Sequence, residues 1–201
     1  MQKPEDDAGS TSPAAPLPTT GAALERAVRE LEQHVAAGGW DGPIRLFALI
    51  RTAGALARDP GLAAQLPEDV VTAAQQDADH LTAVEQENLP EVESLESLLG
   101  MIAWPPTVDG ASVVVERIVV PPGAETNLPD DPEQARVALL NHPLRRDVRL
   151  AAGVLRGGHQ MCAVRARDVD RDDRVAVGSD LVPGLTAALA QTLTEGDDEQ
   201  T

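Results

Sequence analysis

Two stretches of alternating polar and apolar residues, Asp147–Arg156 and His159–Arg167, flank Gly157-Gly158. Alternation with period two is strand periodicity, and adjacent glycines supply the positive φ angles of a tight hairpin. The spacing predicts an antiparallel β-hairpin with a two-residue turn. Parity then assigns its faces. In the first strand Val148, Leu150, Ala152 and Val154 form the apolar side, and Asp147, Arg149 and Ala151 the other. In the second, Cys162, Val164 and Ala166 oppose Met161, Ala163, Arg165 and Arg167. The apolar face is expected to pack on helices, and the face carrying Arg149, Arg165 and Arg167 to meet water. Guanidinium groups make paired hydrogen bonds to carboxylates. That face is therefore a candidate binding surface, for an acidic partner or for the chain's own acidic segment, 59–116.

Other elements read outward from this hairpin. Ser112–Val120, with six Val or Ile residues, is the strongest strand, and Ile44–Ile50 reads as a strand buried on both faces. Leu81–Glu87 is at best an edge strand. Leu24, Val28, Leu31 and Val35 recur with helical spacing, which predicts a helix over 21–37 with Thr20 as a plausible N-cap and Gly38-Gly39 as its stop. Shorter helices are expected over 53–58, 61–66 and 68–79. Ser94 caps a helix running to Trp104, and Asp131-Pro132 opens one to Leu140. A last helix covers 182–193. The mixture predicts an α+β fold: a mostly antiparallel sheet of four to five strands with helices on one face or end. Residues 1–20, rich in Pro, Ser, Thr and acids, are expected to be a disordered tail. Residues 21–194 then form one domain, and 195–201 an acidic disordered tail.

Charge narrows the partners. The chain of 201 residues has 16 Lys and Arg against 33 Asp and Glu, a net charge of -17. Such a chain repels polyanions, so no nucleic acid is expected to bind, nor a membrane to be entered directly. The distribution is uneven: twelve acids and no Lys or Arg between Asp59 and Glu116, then nine arginines against five acids between Arg136 and Arg174. The N-terminal residues place acids where a secretory leader has cations, with no apolar stretch behind them, and there is a single cysteine. Together these give the expectation of a cytoplasmic protein.

Catalytic patterns are scarce. Lys3 is the only lysine and there is no tyrosine, which removes lysine and tyrosine chemistry from the expected folded body. His159 and Cys162 have a metal-like spacing, yet residues three apart on a strand point to opposite faces, and no second pair completes a site. Asp168, Asp170, Asp172 and Asp173 resemble the start of a calcium loop, but the glycine and glutamate positions hold Asp173 and Ser179. No metal and no cofactor is expected. Trp40 and Trp104 each precede a proline-containing bend, where they staple a helix end to the core. Trp104, beside Pro105-Pro106, is also a candidate groove wall for a peptide or apolar ligand.

Several phrases together resemble a known family: GWDGPIRLFALIRTAGALARDPGLAAQL (39–66), LTAVEQENLP (81–90), LLGMIAWPPTVDGASVVVERIVVPPGAE (98–125) and DLVPGLTAALAQTL (180–193). In phrase order they are similar to a family of conserved uncharacterised actinobacterial proteins of about this length. The resemblance implies a single cytoplasmic α+β domain and carries no activity, cofactor or catalytic residue. Genes of that family lie near one for a large integral membrane protein and one for a PDZ-containing protease, which implies a membrane-associated partner. The expected function is a non-enzymatic protein-binding or accessory protein. The alternative is a small-molecule-binding domain or an enzyme with an unrecognised carboxylate and arginine site. Oligomeric state is not specified by the sequence.

Overall fold

The aliphatic run of residues 110–119 forms β3 (Gly110–Val119), a strand buried on both sides over most of its length. It pairs antiparallel with β1 (Arg45–Arg51) on one side and β4 (Arg146–Leu155) on the other. β2 (Leu81–Glu85) extends the sheet beyond β1; β5 (Gln160–Ala166) and β6 (Ala176–Gly178) extend it beyond β4. The computed structural model describes residues 20–92, 94–121 and 128–194. Among them the sheet has six strands in the order β2-β1-β3-β4-β5-β6, every pair antiparallel.

The α+β class and antiparallel sheet agree with the sequence expectation. The sheet holds one strand more than the four or five expected, because β6 is only three residues long and leaves no periodic signal. Helices also cover both faces rather than one face or end. On one side lies α1 (Thr20–Ala36), whose Ala23, Leu24, Ala27, Val28 and Leu31 pack with Phe47, Leu49, Val114, Ala151 and Ala163. On the other, α4 (Leu95–Leu99) and α6 (Pro183–Thr194) pack on Leu46, Ala48, Val113, Val115, Leu150 and Cys162. Two buried faces explain why β3 and β4 read as nearly continuous apolar runs. Each fully buried Leu or Val contributes about 1.5–3 kcal/mol. α2 (Thr52–Arg58) and α3 (Glu68–Gln76) follow β1, and α5 (Pro132–Leu140) connects β3 to β4.

Local chemistry accounts for most element ends. Ser94 caps α4 and Asp131 caps α5, each side-chain oxygen accepting from the backbone N–H three residues on. α4 stops at Gly100, well short of Trp104, since the chain must turn for Trp104 to enter the core beneath α6. The expected helix at 61–66 is a 3-10 turn, Pro60–Ala64, held by Asp59. α3 ends at Gln76, before an Asp77 turn in which the carboxylate accepts from the N–H of Asp79. Thr20 lies inside α1, and its hydroxyl donates to Asp79 at 2.9 Å instead of capping. The remaining residues of the two expected tails, 1–19 and 195–201, lie outside the described residues.

The hairpin register differs from the two-residue turn in one consequential way. Leu155 N–H donates to the His159 carbonyl, so the loop has three residues, Arg156 to Gly158, with Gly158 at φ +83°. A two-residue turn would pair Arg149 with Ala166. The three-residue loop pairs it with Arg165, which puts both arginines on one face.

At Gly153 on β4, α1 packs closely on the sheet. A Cβ there would lie 2.6 Å from Val28 Cγ2 and 3.1 Å from Leu24 Cδ1. We expect Gly153→Ala to cost about 1–3 kcal/mol by lifting α1 from the sheet. Gly42→Ala, where nothing lies within 4 Å, is the matched control expected to stay within about 0.5 kcal/mol. Urea denaturation midpoints of the two variants check the difference.

Candidate functional site

Arg149 and Arg165 stand directly opposite each other on β4 and β5, on the face covered by α1. They are 1% and 3% exposed, so of the arginine face expected to meet water these two positions are buried and only Arg167 is exposed. Like charges on opposed strand positions repel. Glu32 of α1, itself fully buried, resolves the conflict: Arg165 donates to its two carboxylate oxygens at 2.6 and 2.8 Å, and Arg149 Nη1 lies 3.8 Å from Oε1. Arg149 also pairs at 2.9 Å with Glu116, its neighbour on β3, and donates to the Gly39 carbonyl. Its Nε and Nη1 make no hydrogen bond among the described residues. The indole of Trp40 lies over this guanidinium, 4.3 Å from ring centre to Cζ. Asp172 and Asp170, in the loop after β5, complete the surroundings of Arg165 at 2.6 and 3.5 Å. These carboxylates, Glu32 first, hold the Arg165 guanidinium in its charged form even more firmly than usual.

Arg167 is partly exposed and equally committed. It makes two 2.7 Å bonds to the carboxylate of Asp41 and lies 5.4 Å from the Trp40 ring centre. Hydrogen bonding to Arg167 pulls the Asp41 carboxyl below its ordinary pKa. Arg149, Arg165 and Arg167 are therefore joined in one internally paired network. Of its acids only Glu116 belongs to segment 59–116; Glu32, Asp41, Asp170 and Asp172 lie elsewhere. The four aspartates of the calcium-like loop are each paired with arginine, Asp168 with Arg146 and Asp173 with Arg171 completing the set. Burial raises the Cys162 thiol above its ordinary pKa, which disfavours the nucleophilic thiolate.

Trp104, the fourth candidate, behaves differently. It is buried, and its Nε1–H donates to Thr192 Oγ1 at 3.0 Å, anchoring the 100–109 loop to α6. Its outer edge lines a groove of about 530 Å³ beside the edge strand β2. Ala48, Ile50 and Val84 form the floor; Leu89, Pro90, Met101 and Ile102 form the walls. Met101 is 62% exposed and Val84 44%. Arg156, in the hairpin loop, fixes the wall: its guanidinium donates to the carbonyls of Trp104 at 2.9 Å, Val108 at 2.9 Å and Leu193. Among the described residues β2 has a partner strand on one side only. His80 and Gln86 bond to β1, so by antiparallel alternation the N–H and C=O groups of Leu81, Ala83 and Glu85 face outward. Glu87 lies at the rim, exposed and without an ion pair among the described residues, and Glu91, next to the wall residue Pro90 in sequence, is likewise exposed and without an ion pair among them.

The family model described as PPA1309-like protein matches residues 24–194. The chain belongs to the PPA1309-like family. That assignment covers both the buried arginine network and the β2 groove. No curated protein and no solved structure matches this PPA1309-like chain. No helix among its described residues is long and apolar enough to cross a membrane.

Two residues central to this arrangement were readable only in part. Glu32 sits within the apolar stripe of α1, between Leu31 and Val35 and one turn after Val28. A carboxylate in such a stripe signals a buried cation opposite. Arg156 gives no such signal, because its three carbonyl partners converge only in the folded chain.

Removing one member of a buried ion cluster costs about 3–5 kcal/mol, whereas an exposed pair contributes about 0–1 kcal/mol. Arg165→Ser should therefore lower the unfolding free energy by several times more than Arg167→Ser. Chemical denaturation of the two single variants checks this, and equal effects would contradict internal pairing of Arg165.

Proposed function

We propose that this PPA1309-like chain is a non-enzymatic protein-binding domain whose groove beside β2 receives an extended segment of a partner protein. The observation that carries this reading is the coincidence of an open strand edge with an apolar groove on the same strand. An added strand would bond to the outward groups of Leu81, Ala83 and Glu85, and alternate side chains would enter the groove against Val84, Met101 and Trp104. The partner segment is cationic. The stretch from Asp59 to Glu116 has no Lys or Arg, and Glu87 at the rim has no ion pair among the described residues. A strand that alternates aliphatic residues with Lys or Arg satisfies both the groove and the rim. The arginines of the hairpin, committed internally, are no longer part of the recognition surface. The lone, buried Cys162 accords with a reducing cytoplasm, and the preference for arginine over lysine with an actinobacterial source; both belong to this proposal.

Fluorescently labelled protein on an array of about ten-residue synthetic peptides tests the reading. We expect retained peptides to alternate Val, Ile or Leu with Lys or Arg, and binding to fall at least tenfold for Met101→Asp. Ala83→Pro removes an outward N–H donor at an edge position that tolerates proline, and should have the same effect. Retention without a charge preference, or unaffected by both substitutions, would overturn it.

A further inference from the structure

Between α4 and α6, on the sheet face that these helices cover, lies a pocket of about 350 Å³, within the range of small-molecule sites. It shares no lining residue with the β2 groove. Its inner surface is apolar and buried: Leu95 and Leu99 of α4, Val115 of β3 and Leu150 of β4. Val182 and Leu185, half-buried around the start of α6, form one wall. Only two of its lining side chains are polar, Arg117 and Glu96.

Register places Arg117 there. It stands opposite Val148 on the β3–β4 ladder, two residues after Val115, which stands opposite Leu150; all four share the face covered by α4 and α6. Arg117 is exposed, its Nη1 donates to its neighbour's carbonyl, Glu116 O, at 3.2 Å, and it has no ion pair among the described residues. Glu96, the second residue of α4, is also exposed and without an ion pair among them. Two opposite charges therefore line one apolar pocket without meeting each other, and both are open to a ligand.

We infer that this pocket binds a small α-amino acid with an aliphatic side chain. Arg117 takes the carboxylate by paired hydrogen bonds, and Glu96 takes the ammonium. Both charged residues are exposed while the inner surface is buried, so both charges of the ligand sit at the mouth and its hydrocarbon points inward. An α-amino acid has that layout. A fatty acid would set its carboxylate near Glu96 with no cation to offer it, and an ω-amino acid would carry its second charge into the apolar interior, at a cost in desolvation. Leu99, Val115, Leu150 and Leu185 receive the aliphatic side chain. The site does not depend on the function of the β2 groove.

Leucine, titrated calorimetrically into the full-length protein, tests the inference beside three analogues. Of these, 4-methylpentanoate lacks the ammonium, 3-methylbutylamine lacks the carboxylate, and 6-aminohexanoate carries the two charges at opposite ends. Leucine should bind with a sub-millimolar Kd, and each analogue at least tenfold more weakly. Arg117→Gln should abolish the preference for leucine over 3-methylbutylamine, and Glu96→Gln the preference over 4-methylpentanoate. Both positions are exposed, and circular dichroism checks that the variants fold. Met101→Asp, in the β2 groove, should leave leucine binding unchanged. Amide shifts in NMR titration should centre on Leu99, Val115 and Leu185. No leucine binding, an analogue that binds as well as leucine, preferences that survive both substitutions, or shifts centred on the β2 groove would each overturn the site.

Discussion

Two guanidinium groups, Arg149 and Arg165, lie side by side on adjacent strands at 1% and 3% exposure, and the rest of the structure is arranged around neutralising them. Unpaired charges at such depth are not tolerated. Glu32 supplies the shared carboxylate, which fixes both the rotation of α1 about its axis and its position along the sheet. The apolar stripe alone would hold α1 against β4 and β5 with less specific register. A buried ion cluster of this kind contributes more to where an element sits than to net stability. Gly153, beneath Val28 and Leu24, provides the close approach that brings Glu32 within reach. Trp40 then closes over Arg149 from the turn after α1, and Asp41 ties the same turn to Arg167.

The internal pairing redistributes the surface. The nine arginines between Arg136 and Arg174 suggest a basic face, yet most of them pair with acids of the same chain, Arg149 and Arg165 inside the fold and Arg146, Arg167 and Arg171 at its surface. What remains outside includes the acidic flank of the β2 groove. That groove lies beside outward-facing backbone groups, the arrangement used by domains that add a strand from a partner.

The sheet was legible because its strands carry strong period-two or continuously apolar patterns, as β3 and β4 do. α1 and α6 were legible from helical periodicity, and α5 from the Asp131 cap. α4 was overextended, since the sequence gives no sign that Trp104 must turn under α6. β6 is too short to carry a pattern at all. The arginine face was assigned to water on parity alone, and parity distinguishes the two faces of a strand without stating what covers each. Glu32 was the available clue, an acid inside an apolar stripe. Trp104 borders a groove in the structure, and the role of Arg156 in holding that wall depends on contacts across 37 to 52 residues of sequence separation.

The dependence of the fold on the Glu32 clamp is tested most directly by a double-mutant cycle in urea denaturation, combining Glu32→Gln with Arg165→Met. If the two side chains act as one unit, the double variant should be more stable than the sum of the single losses implies, with a coupling energy of about 1–3 kcal/mol. Losses that add to within about 0.5 kcal/mol would show that α1 is seated by its apolar stripe alone and would contradict the account.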